Sequence, residues 1–334
     1  MNNILFIDPN FTDPYDLETY NTRALRGTDA TVVKVAQKLS EKNSIVVAQH
    51  NRITSTQCSN VTYIPLSKID ELQFHNIKSI IVLTNIRLSI SIKEQFPHIN
   101  VWVWLHDLPP FNFSLFLNKL ATCGIGIITV SDFLKQQILD LKQIYPSVSP
   151  FPDVLRIYNP IDDSLAPDGS PYDPNLLAFI SSPTKGLDYT LEVFKKIHEQ
   201  HPQFELLVSS PYPGTKFNNF NLPGVTNLGN LQHEEAMLLL RKSLCLFYLN
   251  HAYPEVFGLV LAEANAVGTP VLTHPFGAAA EVLGDSEQLI DTYDVNAVMN
   301  RLLKWHHGER PKVKGNDAFR LSNIVKQWED LLCN

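Results

Sequence analysis

Cysteine is scarce in this 334-residue sequence, and the four cysteines are widely separated: Cys58, Cys123, Cys245 and Cys333. None forms a C-x-x-C pair, so neither a zinc site nor a disulfide framework is indicated. No apolar run approaches the roughly 18–20 residues that span a bilayer. The N-terminal residues 1–8 contain neither the basic region nor the cleavage site of a secretory signal, and they are typical of a first strand. We therefore expect a cytoplasmic protein without a transmembrane segment.

Blocks of positive charge are also absent. The net charge is −7, and residues 1–160 are almost neutral, with 14 basic and 13 acidic side chains. An acidic chain without a lysine- or arginine-rich block is a poor candidate for nucleic-acid binding. The near-neutral first half tolerates an anionic surface, so a peripheral membrane contact stays open. Hydrophobic residues make up 44% of the chain, which supplies packed cores and excludes a disordered protein.

Short apolar segments alternate with helical ones along the chain. The predicted strands are residues 4–8, 44–48, 78–84, 101–105, 125–130, 176–181, 204–209, 244–248 and 270–273. The predicted helices are residues 28–40, 131–139, 187–200, 233–242, 259–267, 295–306 and 317–332. Strands that are apolar throughout and separated by helices indicate parallel sheets covered on both faces. An Asp- and Pro-rich stretch at 162–174 divides the alternation, so we expect an α/β protein with two Rossmann-like domains.

Ligands of such sheets bind at the carboxyl ends of the strands, so a functional site is expected in the loops that follow strands. Residues 253–272 form a predicted loop, a helix that starts near Gly258, a C-cap at Gly268 and a strand. The free N–H groups of such a first turn attract phosphate. Glu263 lies eight residues after Glu255, which predicts two carboxylates on nearly the same side. Both could bind sugar hydroxyls; the alternative is two surface acids, which the apolar setting disfavours.

This segment resembles the E-x7-E signature of the retaining glycosyltransferases of family 4, which have the GT-B fold. The resemblance extends over residues 254–259, 263–271 and 277–281. It implies that Glu255 contacts the transferred sugar and Glu263 the nucleotide ribose. It also implies that Phe257, Gly258 and Leu259 line the donor site.

The same resemblance implies a domain arrangement. Residues 1–160 form the acceptor-side domain and residues 161–316 the nucleotide-sugar domain, with a cleft between the two domains. A C-terminal helix, residues 317–334, packs back on the first domain, as in GT-B proteins generally.

Lys185 follows a predicted strand and precedes a helix, where a cation beside the helix N-terminus suits a pyrophosphate. It resembles the phosphate-binding Lys-Gly pair of the family. The family's usual arginine is replaced by Ile180, and we expect Ser181 and Ser182 to supply hydrogen-bond donors instead. The alternative is a surface lysine at a strand–helix turn.

Three further segments match the family more loosely. A short loop similar to the one that lies against the nucleobase comprises Gly229, Asn230 and Leu231. His106 ends a predicted strand; a lone histidine there is more often structural, but the resemblance assigns it to the transferred sugar. Gly27 resembles the family's glycine-rich entry, which contacts the acceptor or the donor phosphate, although a plain helix cap is the alternative.

The predicted function is transfer of a hexose from a UDP-, GDP- or ADP-sugar to an acceptor, with retention of configuration. No D-x-D sequence is found, so a metal bridge to the diphosphate is not indicated, and no cofactor is expected. Without a clear carboxylate nucleophile, a front-face path is preferred over a covalent intermediate. The acceptor stays open among a glycan, a lipid, a protein and a small molecule. Alternatives are a GT-B phosphorylase, a nucleotide-sugar epimerase or a non-catalytic nucleotide-sugar-binding protein.

Overall fold

The computed structural model describes residues 3–10, 13–210 and 221–333. The chain is divided into two units. Unit 1 comprises Met1–Tyr20, Thr28–Pro160 and Leu321–Asn334, and unit 2 comprises Asn21–Gly27 and Ile161–Arg320. Neither unit is continuous in sequence, because a short segment near the N-terminus belongs to unit 2 and the last helix belongs to unit 1.

Unit 1 is built on an eight-stranded sheet with the strand order β3-β4-β2-β1-β5-β6-β7-β8. Its strands are β1 (Asn3–Asp8), β2 (Ser44–Gln49), β3 (Thr56–Cys58), β4 (Val61–Pro65), β5 (Ile77–Leu83), β6 (Asn100–Leu105), β7 (Gly126–Thr129) and β8 (Val154–Arg156). All neighbouring pairs are parallel except β3 with β4. In the centre, Leu5 of β1 is paired with Val46 on one side and Ile80 on the other. These buried apolar strands confirm the predicted parallel sheet.

Five helices accompany this sheet: α1 (Leu17–Thr22), α2 (Gly27–Leu39), α3 (Ile86–Gln95), α4 (Ser114–Thr122) and α5 (Asp132–Ile144). Ser131, the first residue of the predicted helix 131–139, is the N-cap residue of α5, since its side chain accepts a hydrogen bond of 3.0 Å from the Leu134 N–H. This cap fixes where the chain turns from β7 into the helix.

Unit 2 contains a five-stranded sheet with the order β11-β10-β9-β12-β13, and all of its pairs are parallel. Its strands are β9 (Asp173–Ile180), β10 (Glu205–Ser209), β11 (Val225–Gly229), β12 (Ser243–Tyr248) and β13 (Val271–Thr273). Its helices are α6 (Leu187–Gln200), α7 (His233–Lys242), α8 (Leu259–Ala266), α9 (Ala279–Leu283) and α10 (Val295–Lys304). Two Rossmann-like α/β units are therefore present, as the sequence predicts.

The last helix, α11 (Leu321–Cys333), lies in unit 1. Its buried Trp328 packs against Trp104, with ring centroids 4.8 Å apart, and against Phe6 at 6.0 Å. The sequence places the start of this helix at residue 317. In the structure, Asn316 instead caps a separate 3-10 turn at Asp317–Phe319, which belongs to unit 2.

Candidate functional site

Glu255 lies in the loop between β12 and α8, and Gly277 fixes its backbone. The two residues form an isolated parallel bridge, and the Ala278 N–H donates to the Glu255 carbonyl at 2.7 Å. Gly277 has a positive φ of 68°, and a Cβ atom there would lie 2.3 Å from the Glu255 carbonyl oxygen. A side chain at residue 277 would displace the backbone of Glu255, so the close approach requires glycine.

The Glu255 carboxylate is buried and has two donors within unit 2. Lys185 Nζ lies 2.9 Å from Oε1 and 2.8 Å from Oε2, and the Tyr248 hydroxyl donates to Oε1. The side chain of Glu255 is 6% exposed, whereas that of Lys185 is 36% exposed. The cost of burying the Glu255 charge is therefore offset by a partly exposed cation, Lys185, and by a buried phenol, Tyr248.

A tight turn between β9 and α6 positions Lys185. Its N–H donates to the Ser182 carbonyl at 2.9 Å, and Gly186 follows as the N-cap residue of α6 with φ of 82°. A Cβ atom on Gly186 would lie 3.1 Å from Asn250 Cα, so glycine lets the turn approach the segment after β12. Ser181 and Ser182 are both buried at the start of this turn. The structure thus brings three predicted phosphate-site residues together with Glu255.

Glu263 lies on α8 and has a different partner from Glu255. Its Oε1 is 2.9 Å from His233 Nε2, at the start of α7, and a carboxylate can only accept this hydrogen bond. Glu255 precedes Gly258, the N-cap residue of α8, and is therefore not part of the helix. The helical spacing used to predict two carboxylates on one side does not apply to this pair, because helical periodicity starts only after Gly258.

The residues around the start of α8 have distinct environments. Gly258 adopts the left-handed conformation, with φ of 85°. Phe257 is buried, and its ring meets that of Phe319 edge-on at 5.1 Å, so its side chain serves packing in unit 2. A Cβ atom on Gly27 would lie 3.0 Å from Leu259 Cδ1, which brings the predicted glycine entry next to the first residue of α8.

The loop after β11 is held at the carboxyl end of β10. The Gly229 carbonyl accepts hydrogen bonds from the Ser210 N–H at 3.1 Å and from Ser209 Oγ at 2.9 Å. Asn230 Nδ2 donates to the Ser210 carbonyl at 2.7 Å, and Leu231 follows at intermediate exposure. The three predicted nucleobase-loop residues therefore lie at the carboxyl edge of the same sheet.

His106 belongs to unit 1, directly after β6. It is 6% exposed, its ring centroid lies 4.4 Å from that of Trp104, and its Nε2 has no hydrogen-bond partner among the described residues. Burial lowers the pKa of His106 to about 3. The imidazole is therefore neutral at ordinary pH.

This burial has a measurable consequence for stability. Between pH about 6.5, where an exposed histidine titrates, and about 3, the unfolded chain binds a proton that folded His106 does not. Stability conferred by this site falls as the pH is lowered through that window, by about 2 kcal/mol between pH 7 and pH 5. The free energy of unfolding, measured with urea at both pH values, should therefore fall less between them in His106→Gln than in wild type. The matched control, His75→Gln, alters an exposed histidine and should keep the wild-type loss. An equal loss in both variants would refute the assignment.

Sequence reasoning did not identify Tyr248 or His233 as site residues. Tyr248 ends a strand that is apolar throughout, and His233 starts an amphipathic helix, so each was assigned only to its element. A hydroxyl at the carboxyl end of a buried strand was the signal that could have identified Tyr248.

The described residues contain neither a metal-binding cluster nor a membrane-spanning helix. No group of three or more His, Cys, Asp or Glu side chains in them is arranged to hold a metal ion. No helix in the described ranges combines the length and apolar character needed to cross a membrane.

Sequence comparison finds a family model that matches part of the chain. Residues 163–320 match the family model of the glycosyl transferases group 1. The match includes every site residue described above in unit 2 except Gly27. The comparison with curated proteins gives no match.

Structural comparison finds similar two-domain proteins. AviGT4, a glycosyltransferase involved in avilamycin A biosynthesis, is 15% identical with a TM-score of 0.66, and the alignment covers 100% of this chain and 99% of that one. Anabaena HepE, solved in complex with UDP, is 13% identical with a TM-score of 0.65, and each chain is covered completely. The pneumococcal O-GlcNAc transferase GtfA, solved with UDP and GlcNAc, is 14% identical with a TM-score of 0.57 over 76% of this chain. This chain spans only 56% of that protein. Such likeness establishes the fold: the chain has the GT-B fold of two Rossmann-like units, and its residues 163–320 match the glycosyl transferases group 1.

Proposed function

We propose that this protein is a retaining glycosyltransferase that moves a hexose from a nucleoside-diphosphate sugar to an acceptor. The observation that carries the proposal is the pairing of buried Glu255 with Lys185 at the carboxyl edge of the unit 2 sheet. The partly exposed cation offers a group for a diphosphate, and the buried carboxylate beside it offers a group for sugar hydroxyls. The family match over residues 163–320 supports the same reading.

The diphosphate would bind to Lys185 and to the N–H groups at the start of α8. Negative charge grows on the leaving diphosphate as the glycosidic bond breaks, and these donors stabilise it. Preorganised donors of this kind each contribute about 10²–10³ in rate. Since Lys185 supplies positive charge from the protein itself, we propose that the transfer needs no metal ion.

The sugar nucleotide would be oriented by the two glutamates. Glu255 accepts hydrogen bonds from hydroxyls of the transferred sugar and holds them in a reactive geometry. Glu263, steadied by His233, accepts hydrogen bonds from the ribose hydroxyls. The loop containing Gly229 and Asn230 lies against the nucleobase. The role of His106 at the transferred sugar stays a prediction from the family resemblance.

Retention follows if the acceptor enters on the face that the diphosphate leaves. The bond from the anomeric carbon to the phosphate oxygen breaks, a bond to the acceptor oxygen forms, and the acceptor proton passes to the departing phosphate oxygen. Glu255 is engaged by Lys185 and Tyr248, which favours a binding role over attack on the sugar. NMR of the anomeric proton in the isolated product distinguishes retention from inversion, and an unchanged rate in EDTA would support metal independence.

Donor binding should be visible as thermal stabilisation. A nucleoside diphosphate or its sugar at 100 times its Kd adds about 2.7 kcal/mol, which raises Tm by several degrees. We expect one of UDP, GDP, ADP or their sugars to do so. Lys185→Ala should lose most of this shift, because the diphosphate loses its cation. Lys196→Ala, which removes an exposed lysine paired with Glu192 on α6, should retain it.

The alternatives give different results in the same assays. A phosphorylase would transfer the sugar from its donor to inorganic phosphate with no other acceptor present, releasing sugar phosphate and the leaving group, and an epimerase would convert the donor without an acceptor. A non-catalytic binder would show the thermal shift without turnover. The absence of any shift with all three nucleoside diphosphates and their sugars would contradict the proposed function.

A further inference from the structure

Tyr248 is the last residue of β12, and its side chain is completely buried. Its hydroxyl contacts Asn250, Glu255 and Ser181 of unit 2. Asn250 Nδ2 is 3.3 Å from the Tyr248 oxygen, and the hydroxyl contacts Glu255 Oε1. Because an amide NH₂ can only donate, the phenol accepts from Asn250 and directs its own proton to the carboxylate.

The surroundings fix this hydroxyl in place. The Tyr248 ring packs beside Phe179, with centroids 5.7 Å apart. Asn250 is itself tied to the following loop, since its Nδ2 donates to the Tyr253 carbonyl at 2.7 Å. Burial, and then the neighbouring Glu255 carboxylate, raise the pKa of Tyr248 well above its usual value, so the phenol keeps the proton that it donates.

The two donors of Glu255 differ in their freedom to move. Lys185 is partly exposed and carries its charge on a long flexible stem, whereas Tyr248 is enclosed. A diphosphate would attract Lys185 away from Glu255, at least in part. A carboxylate buried to this degree would then depend on its remaining hydrogen-bond donor for its position and its solvation.

We propose that Tyr248 is a positioning residue. Its hydroxyl holds the Glu255 carboxylate in place when Lys185 moves from that carboxylate to the donor diphosphate. This inference rests on the proposed function, and it adds a fixed partner to the motif glutamate. Tyr248 does not touch the substrate; it acts through Glu255.

Tyr248→Phe tests the proposal, because it keeps the packed ring and removes one hydroxyl. We expect kcat to fall roughly 10- to 100-fold, as for the loss of a hydrogen bond to a charged group. The affinity for the nucleoside diphosphate, which contains no sugar, should stay within about twofold, since Lys185 remains in place. Tyr189→Phe is the matched control: it removes a hydroxyl of unit 2 that donates to the Thr292 carbonyl and leaves Glu255 untouched. An unchanged kcat, or a parallel loss of nucleoside-diphosphate affinity, would overturn the positioning role.

A second measurement does not depend on turnover. Tyr248→Phe, Glu255→Ala and the double variant form a cycle in which the urea midpoint is measured. If the hydroxyl serves Glu255, then Tyr248→Phe lowers the midpoint more in wild type than in the Glu255→Ala background. Equal shifts in both backgrounds would overturn the proposal. A wild-type protein that turned over no donor would instead refute the proposed function, and the cycle would still decide on the contact.

Discussion

Glu255→Gln is expected to lower kcat about 10²–10³-fold while the affinity for the nucleoside diphosphate changes little. Glutamine keeps the shape of the side chain and can still accept the Tyr248 hydrogen bond. It loses the charge that pairs with Lys185 and one of the two oxygens that would accept from sugar hydroxyls. Initial rates at saturating donor, together with calorimetric binding of the nucleoside diphosphate, separate the two effects.

Glu234→Gln provides the control for this substitution. It changes an exposed acid in the first turn of α7, in the same unit, and should leave both kcat and binding at the wild-type value. Wild-type kcat in Glu255→Gln would rule out the assigned role. A loss of nucleoside-diphosphate affinity as large as the loss of kcat would place Glu255 at the diphosphate instead of the sugar.

Gly277→Ala is expected to damage both stability and turnover. The added methyl would lie 2.3 Å from the Glu255 carbonyl oxygen and 2.6 Å from its nitrogen, so the Glu255 loop must move. We expect the free energy of unfolding to fall by about 1–2 kcal/mol because a non-glycine residue adopts a positive φ. The clash should lower it by about 1–3 kcal/mol more, the cost of overpacking. A displacement of about 1 Å at a group that positions the substrate costs about 10²-fold in rate. Urea unfolding and kcat measure the two effects.

Gly284→Ala isolates the contribution of the clash. Gly284 has nearly the same positive φ, 65° against 68°, but a Cβ atom there meets nothing within 4 Å. Gly284→Ala should lower the free energy of unfolding only by the cost of a non-glycine residue at positive φ, and its kcat should stay at the wild-type value. If both variants behaved alike, the close approach of Gly277 to Glu255 would not matter for the site.

Much of the fold is determined by local hydrophobic pattern. The bounds of α6 and α7 agree with the sequence prediction, since each has a continuous apolar stripe and clear ends. Short strands at the edge of a sheet have no such continuous apolar pattern. Thr56–Cys58 and Val154–Arg156 were missed because three residues, partly exposed, form no period that can be recognised.

The sequence predicted single residues of the candidate site, but it did not predict which of their side chains contact each other. Glu255 and Lys185 were each placed correctly on a loop after a strand, but 70 residues separate them, and only the fold shows that they form an ion pair. The partners Tyr248 and His233 look like ordinary strand and helix residues until the sheet is assembled. The shared-face argument for Glu255 and Glu263 failed because Gly258 breaks the helical periodicity between them.

The burial of Trp328 against Trp104 has a consequence for how the protein is made. Translation delivers the strands of unit 1 early, yet the helix that completes this unit emerges after the whole of Ile161–Arg320. All residues of unit 2 are synthesised before α11. The surface of unit 1 that contains Trp104 therefore stays uncovered until α11 has been synthesised. Unit 1 is thus completed only after unit 2 has been synthesised, and nascent chains halted before α11 would present an apolar face to chaperones.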